Sequence, residues 1–339
     1  MSGYSTIIVF RMLMEYGFKF LKFSLLNGNL KMEAENNREA AKGVDRLKRP
    51  VLPLVNMVEY LYLTGPFKKI NEVLSRLTKP VELEGVQFEN PRQMLEPYET
   101  VLQEFEVVKG EKKLAASLPF IVDEKQKPVA KRQALELLIR QQILSRELEE
   151  INSILCGPCG CVLCCTGPNS EFDALSGFKG EMKQEFFEIP LEENEVDVFT
   201  LARIDTGGSR KLTAQSSQPL ERDQRPFYKH EMALYHWQNG WSLILPEGST
   251  CPQLTRDTKR CMVYEERPEV CRKPQIFPYV LEKTADTAKR SDGVLIPVYM
   301  ARNKVLAVWD CPYVRKYQDE IGAYAEMSGL TPIFKKSKI

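Results

Sequence analysis

The amino-acid sequence predicts an α+β chain, with a helical N-terminal half followed by a cysteine-rich half of short antiparallel strands and loops. Three observations lead there. Apolar residues ahead of position 155 recur at helical spacing, the stretch beyond it alternates between turn signals, and all nine cysteines fall at or after Cys156. At 339 residues the chain has length enough for two domains.

Taken in order, Ile7, Ile8, Phe10, Met12, Leu13, Phe18, Phe20, Leu21 and Phe23 crowd the first segment, but Arg11, Glu15, Lys19 and Lys22 interrupt them. A bilayer-spanning helix needs about 20 consecutive apolar residues, and no basic stretch precedes these as it does in an export signal. Residues 1–31 therefore read as a dispensable apolar extension ahead of a start at Met32, or as an amphipathic helix. A helical region follows over 32–150. Leu54 to Thr64 is apolar and stops at Gly65-Pro66; Phe67, Ile70, Val73, Leu74 and Leu77 then keep helical spacing, as do Met94, Leu95, Tyr98, Val101, Leu102 and Phe105. A longer helix is expected from Pro128 to Leu155, with Leu144, Leu148, Ile151 and Leu155 as its apolar stripe, ending where the first cysteines begin. Beyond it, Phe186 to Arg203 suggests strands, Thr206 to Arg225 a polar, mobile loop, and Phe227 the return of strands. Trp241 to Leu245 is bounded by Gly240 and Gly248, Val294 to Val308 reads as a strand pair turning near Arg302-Asn303, and Cys311 opens a final helix to about Met327.

Five cysteines occupy ten positions, Cys156-Gly-Pro-Cys159-Gly-Cys161-Val-Leu-Cys164-Cys165, and Cys251, Cys261, Cys271 and Cys311 return later. Thiolates are soft donors that select zinc, copper(I) and iron–sulfur clusters over magnesium or calcium. A Cys-x-x-Cys pair lets two sulfurs reach one ion from a tight turn, and two such pairs overlap here, Cys156/Cys159 and Cys161/Cys164, with Gly157, Pro158 and Gly160 to turn the chain. Adjacent Cys164 and Cys165 would point apart on an extended backbone. A disulfide framework belongs to small secreted domains in oxidising compartments, and buried inert cysteines do not come five in ten residues. All nine, Cys156, Cys159, Cys161, Cys164, Cys165, Cys251, Cys261, Cys271 and Cys311, are candidate metal ligands, so residues 151–315 form the expected cysteine-cluster metal-binding domain and 316–339 its C-terminal helix and tail.

The letters around the later cysteines are specific: Cys251-Pro-Gln-Leu254, then Cys261-Met-Val-Tyr264-Glu-Glu-Arg267-Pro268, then Cys271-Arg272. With the preceding Cys161-x-x-Cys164-Cys165, this series resembles the YkgJ-like cysteine-cluster family of zinc- or iron-chelating domains, over residues 151 to 315. The family's run begins Cys-x-x-Cys-x-x-Cys-Cys, so either Cys156 or Cys159 takes its first place here. Apart from the resemblance, four thiolates on one zinc leave a net charge of minus two. Arg267 and Arg272, close in sequence to the ligands, are therefore expected at the cofactor, donating hydrogen bonds to sulfur and offsetting that charge, while Tyr264 and Pro268 shape the loop. His230 and His236, six apart, would share one face of a strand, as packed or exposed bystanders.

Lysine and arginine total 47 against 46 acidic residues, a net charge of +1 that carries no nucleic-acid or membrane signature. Phosphate-binding loops, dinucleotide fingerprints and serine elbows are absent from the sequence. The expected function is a cytoplasmic metal-binding protein holding a zinc ion or an iron–sulfur cluster, 4Fe–4S among the choices, with metal ions as the partners named. The alternative is a cluster-dependent protein-modifying enzyme resembling flagellin lysine N-methylases. A third reading, metal delivery or redox sensing, would use Cys159, Cys161 and Cys165.

Overall fold

A computed structural model describes residues 35–109, 118–170, 184–208, 219–272, 275–289 and 293–335. The apolar extension over 1–31 lies outside the described residues, as does most of the polar loop expected after Thr206. The chain is α+β. Helices α1 (35–47), α2 (Leu52–Thr64) and α3 (Ile70–Leu74) come first, then a hairpin of β1 (Val81–Leu83) and β2 (Val86–Phe88). The helix expected over Met94–Phe105 is broken into α4 (Pro91–Leu95), α5 (Glu99–Leu102) and α6 (Glu106–Lys109), joined by 3-10 turns at Glu96–Tyr98 and Gln103–Phe105. Pro97 lacks the N–H a continuous helix would need, yet Leu95, Tyr98, Leu102 and Phe105 remain buried.

The spine is α7 (Lys131–Cys159), 29 residues and therefore about 43 Å long. It packs Leu144, Leu148, Ile151 and Leu155 into the largest hydrophobic cluster, which also takes residues from α2, α3 and the C-terminal part of the chain. The expected boundary at residue 150 thus falls inside a helix whose core continues to Leu330.

Two long antiparallel strands, β12 (Ile276–Lys289) and β13 (Leu295–Val308), carry the C-terminal sheet. On the other edge of β13 lie β3 (Phe120–Val122) and β14 (Thr331–Lys335), both parallel to it. Val294 to Val308 is therefore one strand, not a pair: Asn303 takes φ +49 without a reversal, because β12 and β14 pair with the residues beyond it. The amides of α7 meet β12 where its register slips between Tyr279 and Leu281. Gln141 accepts from Val280 and Leu281 N–H at 3.0 and 3.1 Å and donates to Pro278 O, while Asn152 donates to Ile276 O at 2.6 Å. Gln141 thus satisfies backbone groups at the bulge, and Asn152 those at the start of β12. The last helix divides at Tyr317 into α9 (Pro312–Lys316) and α10 (Gln318–Met327).

A second sheet runs β4 (Phe186–Leu191), β9 (Gly240–Pro246), β8 (Ala233–Trp237) and β5 (Arg203–Asp205), with β5 parallel to β8 and the other pairs antiparallel. Strand alternation splits it into two faces: Leu234, Leu243 and Leu245 on one, Ala233, Tyr235, Trp237 and Ile244 on the other. Cys251 and Cys271 pack against the first face. Among the described residues no helix is long and apolar enough to cross a membrane.

Candidate metal centre

Helix α7 does not end at Leu155 as expected. It continues through Pro158 to Cys159, where Gly160 adopts the left-handed conformation at φ +59. Cys156-x-x-Cys159 is therefore the last helical turn rather than a knuckle turn after the helix, and its partners change with it. Leu163–Cys165 form a 3-10 turn entered by Val162 at φ +53, a strained value for a β-branched residue. On this tight turn Cys164 and Cys165 do not splay as on an extended backbone; their Sγ atoms are 3.9 Å apart.

Closing the loop onto β9 brings in the later cysteines. Thr166 bridges Thr250, Gly167 N–H donates to Ser249 O at 2.9 Å, and Cys251 N–H donates to Cys165 O at 2.7 Å. Gly167 is required at this crossing, because a Cβ there would sit 2.0 Å from Pro246 O. A two-strand ribbon of β10 (Leu254–Thr255) and β11 (Arg260–Cys261) places Cys261 opposite Leu254, and the short helix α8 (Glu269–Arg272) presents Cys271. Cys311 comes from far along the chain, between β13 and α9, and is 3 % exposed.

Distances sort the sulfurs differently from their spacing in sequence. Sγ of Cys159, Cys161 and Cys311 all lie within 4.8 Å of one another, whereas Cys156 is influenced chiefly by Cys164. The members of each Cys-x-x-Cys pair still act on one another, Cys159 raising Cys156 and Cys161 raising Cys164. The other six cysteines, together with Cys161, line a cavity of about 680 Å3; Cys159 and Cys311 do not reach it. All nine are free thiols.

Crowding and burial shape the protonation of these thiols. The Cys159 sulfur collects hydrogen bonds from the Cys161 and Cys311 thiols and from the N–H groups of Cys161 and Tyr313, which hold its pKa well below the usual thiol range against burial. Bonded to that sulfur, Cys161 and Cys311 keep their own protons and are pushed up. Around the cavity, burial pushes Cys251 and Cys271 up to about 11 and raises Cys261. Cys156 rises through its bond to Cys164 and then burial. Gathered thiols such as these ionise together only when a cation replaces their protons.

Arg267 is a buried positive group that acts on several of these thiols. Only 7 % exposed, its guanidinium lies 3.7 Å from the Tyr264 ring centroid, and it donates to Tyr264 O at 2.8 Å and to Ser153 Oγ at 3.0 Å. Its charge acts to lower the pKa of Cys156, Cys261 and Cys271. Arg272 is directed elsewhere, to Glu149 at 2.9 Å and to the Arg267 carbonyl at 2.6 Å. The hydrogen bonds seen for both arginines thus end on oxygen rather than on sulfur. Ser153 and Glu149 of α7, which receive them, were not singled out in the sequence; both lie on the turns of α7 before Cys156, and Tyr264 also donates to the Ser153 carbonyl. His230 bonds Arg222 O at 2.8 Å, His236 stacks on Trp241 at 4.6 Å, and neither lines the cavity.

No family model, curated protein or solved structure matched this chain.

Proposed function

We propose that this chain is a metal-binding protein whose clustered thiolates hold a zinc ion or an iron–sulfur cluster. One observation carries the reading: cysteines from five separate places in the sequence, 156–165, 251, 261, 271 and 311, gather at the C-terminal end of one helix. Sulfurs on a tetrahedral ion with metal–sulfur bonds of about 2.3 Å stand about 3.8 Å apart, so three Sγ atoms already within 4.8 Å need only a small contraction. Thiolates as the donor set favour zinc and iron–sulfur centres over hard cations, and the motif resemblance to YkgJ-like chelating domains agrees with that choice. Free thiols at all nine positions suit a reducing compartment such as the cytoplasm. A second reading, a cluster-dependent protein-modifying enzyme, draws on the cavity of about 680 Å3, which leaves room for a substrate beside the sulfurs.

Elemental analysis with an absorbance spectrum, on full-length protein purified without oxygen, tests both. Brown protein carrying iron and acid-labile sulfide supports the cluster and the enzymatic branch. Colourless protein with stoichiometric zinc supports a structural or carrier role. Protein without metal overturns the proposal.

A further inference from the structure

Nine thiols are too many for one ion, and their arrangement divides them. Cys159, Cys161 and Cys311 form a compact trio, and among the described residues no other three histidine, cysteine or carboxylate ligand atoms lie so close together. The remaining six stand around a cavity of about 680 Å3, far larger than a single ion needs. Two of the trio are absent from that cavity's lining. The framework follows this division in part: Cys159 and Cys311 belong to the main core, as does Cys156 of the cavity wall, whereas Cys251 and Cys271 pack against the second sheet.

We propose that the trio of Cys159, Cys161 and Cys311 is a separate mononuclear zinc site, distinct from the centre held by the six cavity cysteines. This rests on the metal-binding reading above. Three thiolates around one zinc leave a net charge of minus one, a smaller burden for a buried site than the minus two of four thiolates. Loading replaces the thiol protons with the ion: each of the three thiols gives up its proton to solvent, three sulfur–zinc bonds form, and no electron changes hands. Among the described residues no fourth histidine, cysteine or carboxylate ligand atom joins this group. In the proposed site the fourth neighbour is oxygen-type, and Cys161, which the trio shares with the cavity wall, marks the side from which that neighbour enters. Three protein ligands plus one exchangeable position is the pattern of reactive zinc, in contrast to the closed four-ligand pattern of structural sites.

X-ray absorption at the zinc edge of the full-length, anaerobically purified protein gives the first test and requires no variant. The expected result is at least one zinc per chain with three sulfur neighbours at about 2.3 Å, one lighter neighbour and no second metal nearby. Four sulfurs, a metal neighbour, or a metal-loaded protein holding iron alone would overturn the separate site while leaving metal binding standing. Protein with no metal at all removes the broader reading together with this one. Variants then assign the residues. Cys311→Ser should lose this zinc and keep the remaining metal, and Cys261→Ser should keep it. Equal loss of all metal in both variants means one shared centre; Cys311→His, which keeps a nitrogen ligand, separates loss of the site from loss of the fold by retaining the zinc.

Discussion

Arg267 is where a single side chain decides most at this site. Its guanidinium is packed over Tyr264, tied to α7 through Ser153, and opposes the rise in pKa of three thiols at once. Groups that orient ligands and balance their charge typically cost roughly 10–100-fold in metal affinity when removed. Arg267→Ala should weaken metal retention by that order in a chelator competition, and Arg267→Lys should recover little, because one ammonium cannot both stack and fork. Far from the sulfurs, Glu147 is a second decisive residue. Buried in the main core, it accepts from Tyr324 OH at 2.7 Å and from Val51 N–H at 2.9 Å, and burial pushes its pKa up to about 7. A carboxyl with a raised folded-state pKa holds its proton more tightly in the native protein. Its contribution to stability is full below about pH 4.5 and is lost as pH rises towards 7. The loss amounts to as much as about 3 kcal/mol at 1.36 kcal/mol per pKa unit. Glu147→Gln, which cannot ionise, should flatten that slope; denaturant unfolding of both proteins from pH 5 to 8 checks it, since other pH-dependent contributions cancel in their difference.

At the level of elements, α7 is both the core's main helix and the platform of the site. Extending it by one turn past Leu155 sets Cys156 and Cys159 on the helix, and the left-handed Gly160 then releases the chain to turn back. Two glycines near this loop should respond differently to alanine. At Gly160 nothing lies within 4 Å of an added Cβ, so Gly160→Ala carries only the left-handed strain of about 1–2 kcal/mol. At Gly167 the added atom would collide with the Pro246 carbonyl, so Gly167→Ala has to separate the loop from β9 and with it Cys165 from Cys251. Thermal unfolding and metal content of the two variants should show a small shift with full metal for the first, and loss of both for the second. The strain at Val162 belongs to the same loop; there the side chain is buried with Leu254, against Cys165 and Cys251.

Across the whole molecule, the sulfurs lie where the main core meets the second sheet. The main core is one continuous cluster from Leu47 to Leu330, but the sheet face that looks towards the sulfurs buries only seven residues, Ile189, Leu191, Val196, Phe199, Leu234, Leu243 and Leu245. So small a cluster gains little from burial alone, and metal bound by Cys251 and Cys271 would add to its stability directly. Chelation under reducing conditions should therefore lower amide-exchange protection in β4, β8 and β9 while the amides of α7, β12 and β13 stay protected. Uniform loss in both regions would mean that the metal supports the whole fold.

Sequence alone determined the α+β class, the long helix ahead of the cysteines, its apolar stripe, and the identity of the sulfur-rich segments, because helical periodicity and thiol density are local properties of the chain. Only the tertiary structure decided how the cysteines group. Spacing paired Cys156 with Cys159 and Cys161 with Cys164, but the extra helical turn, the 3-10 turn at Leu163–Cys165 and the arrival of Cys311 from beyond β13 set Cys159 with Cys161 and Cys311 and left Cys156 beside Cys164. The same holds for the broken helix over Pro91–Lys109, for the unbroken β13 and for β14, whose pairing partner lies about 27 residues earlier in the chain. Strand pairing and ligand grouping depend on which distant segments bury their apolar faces together, and no window of neighbouring residues contains that information.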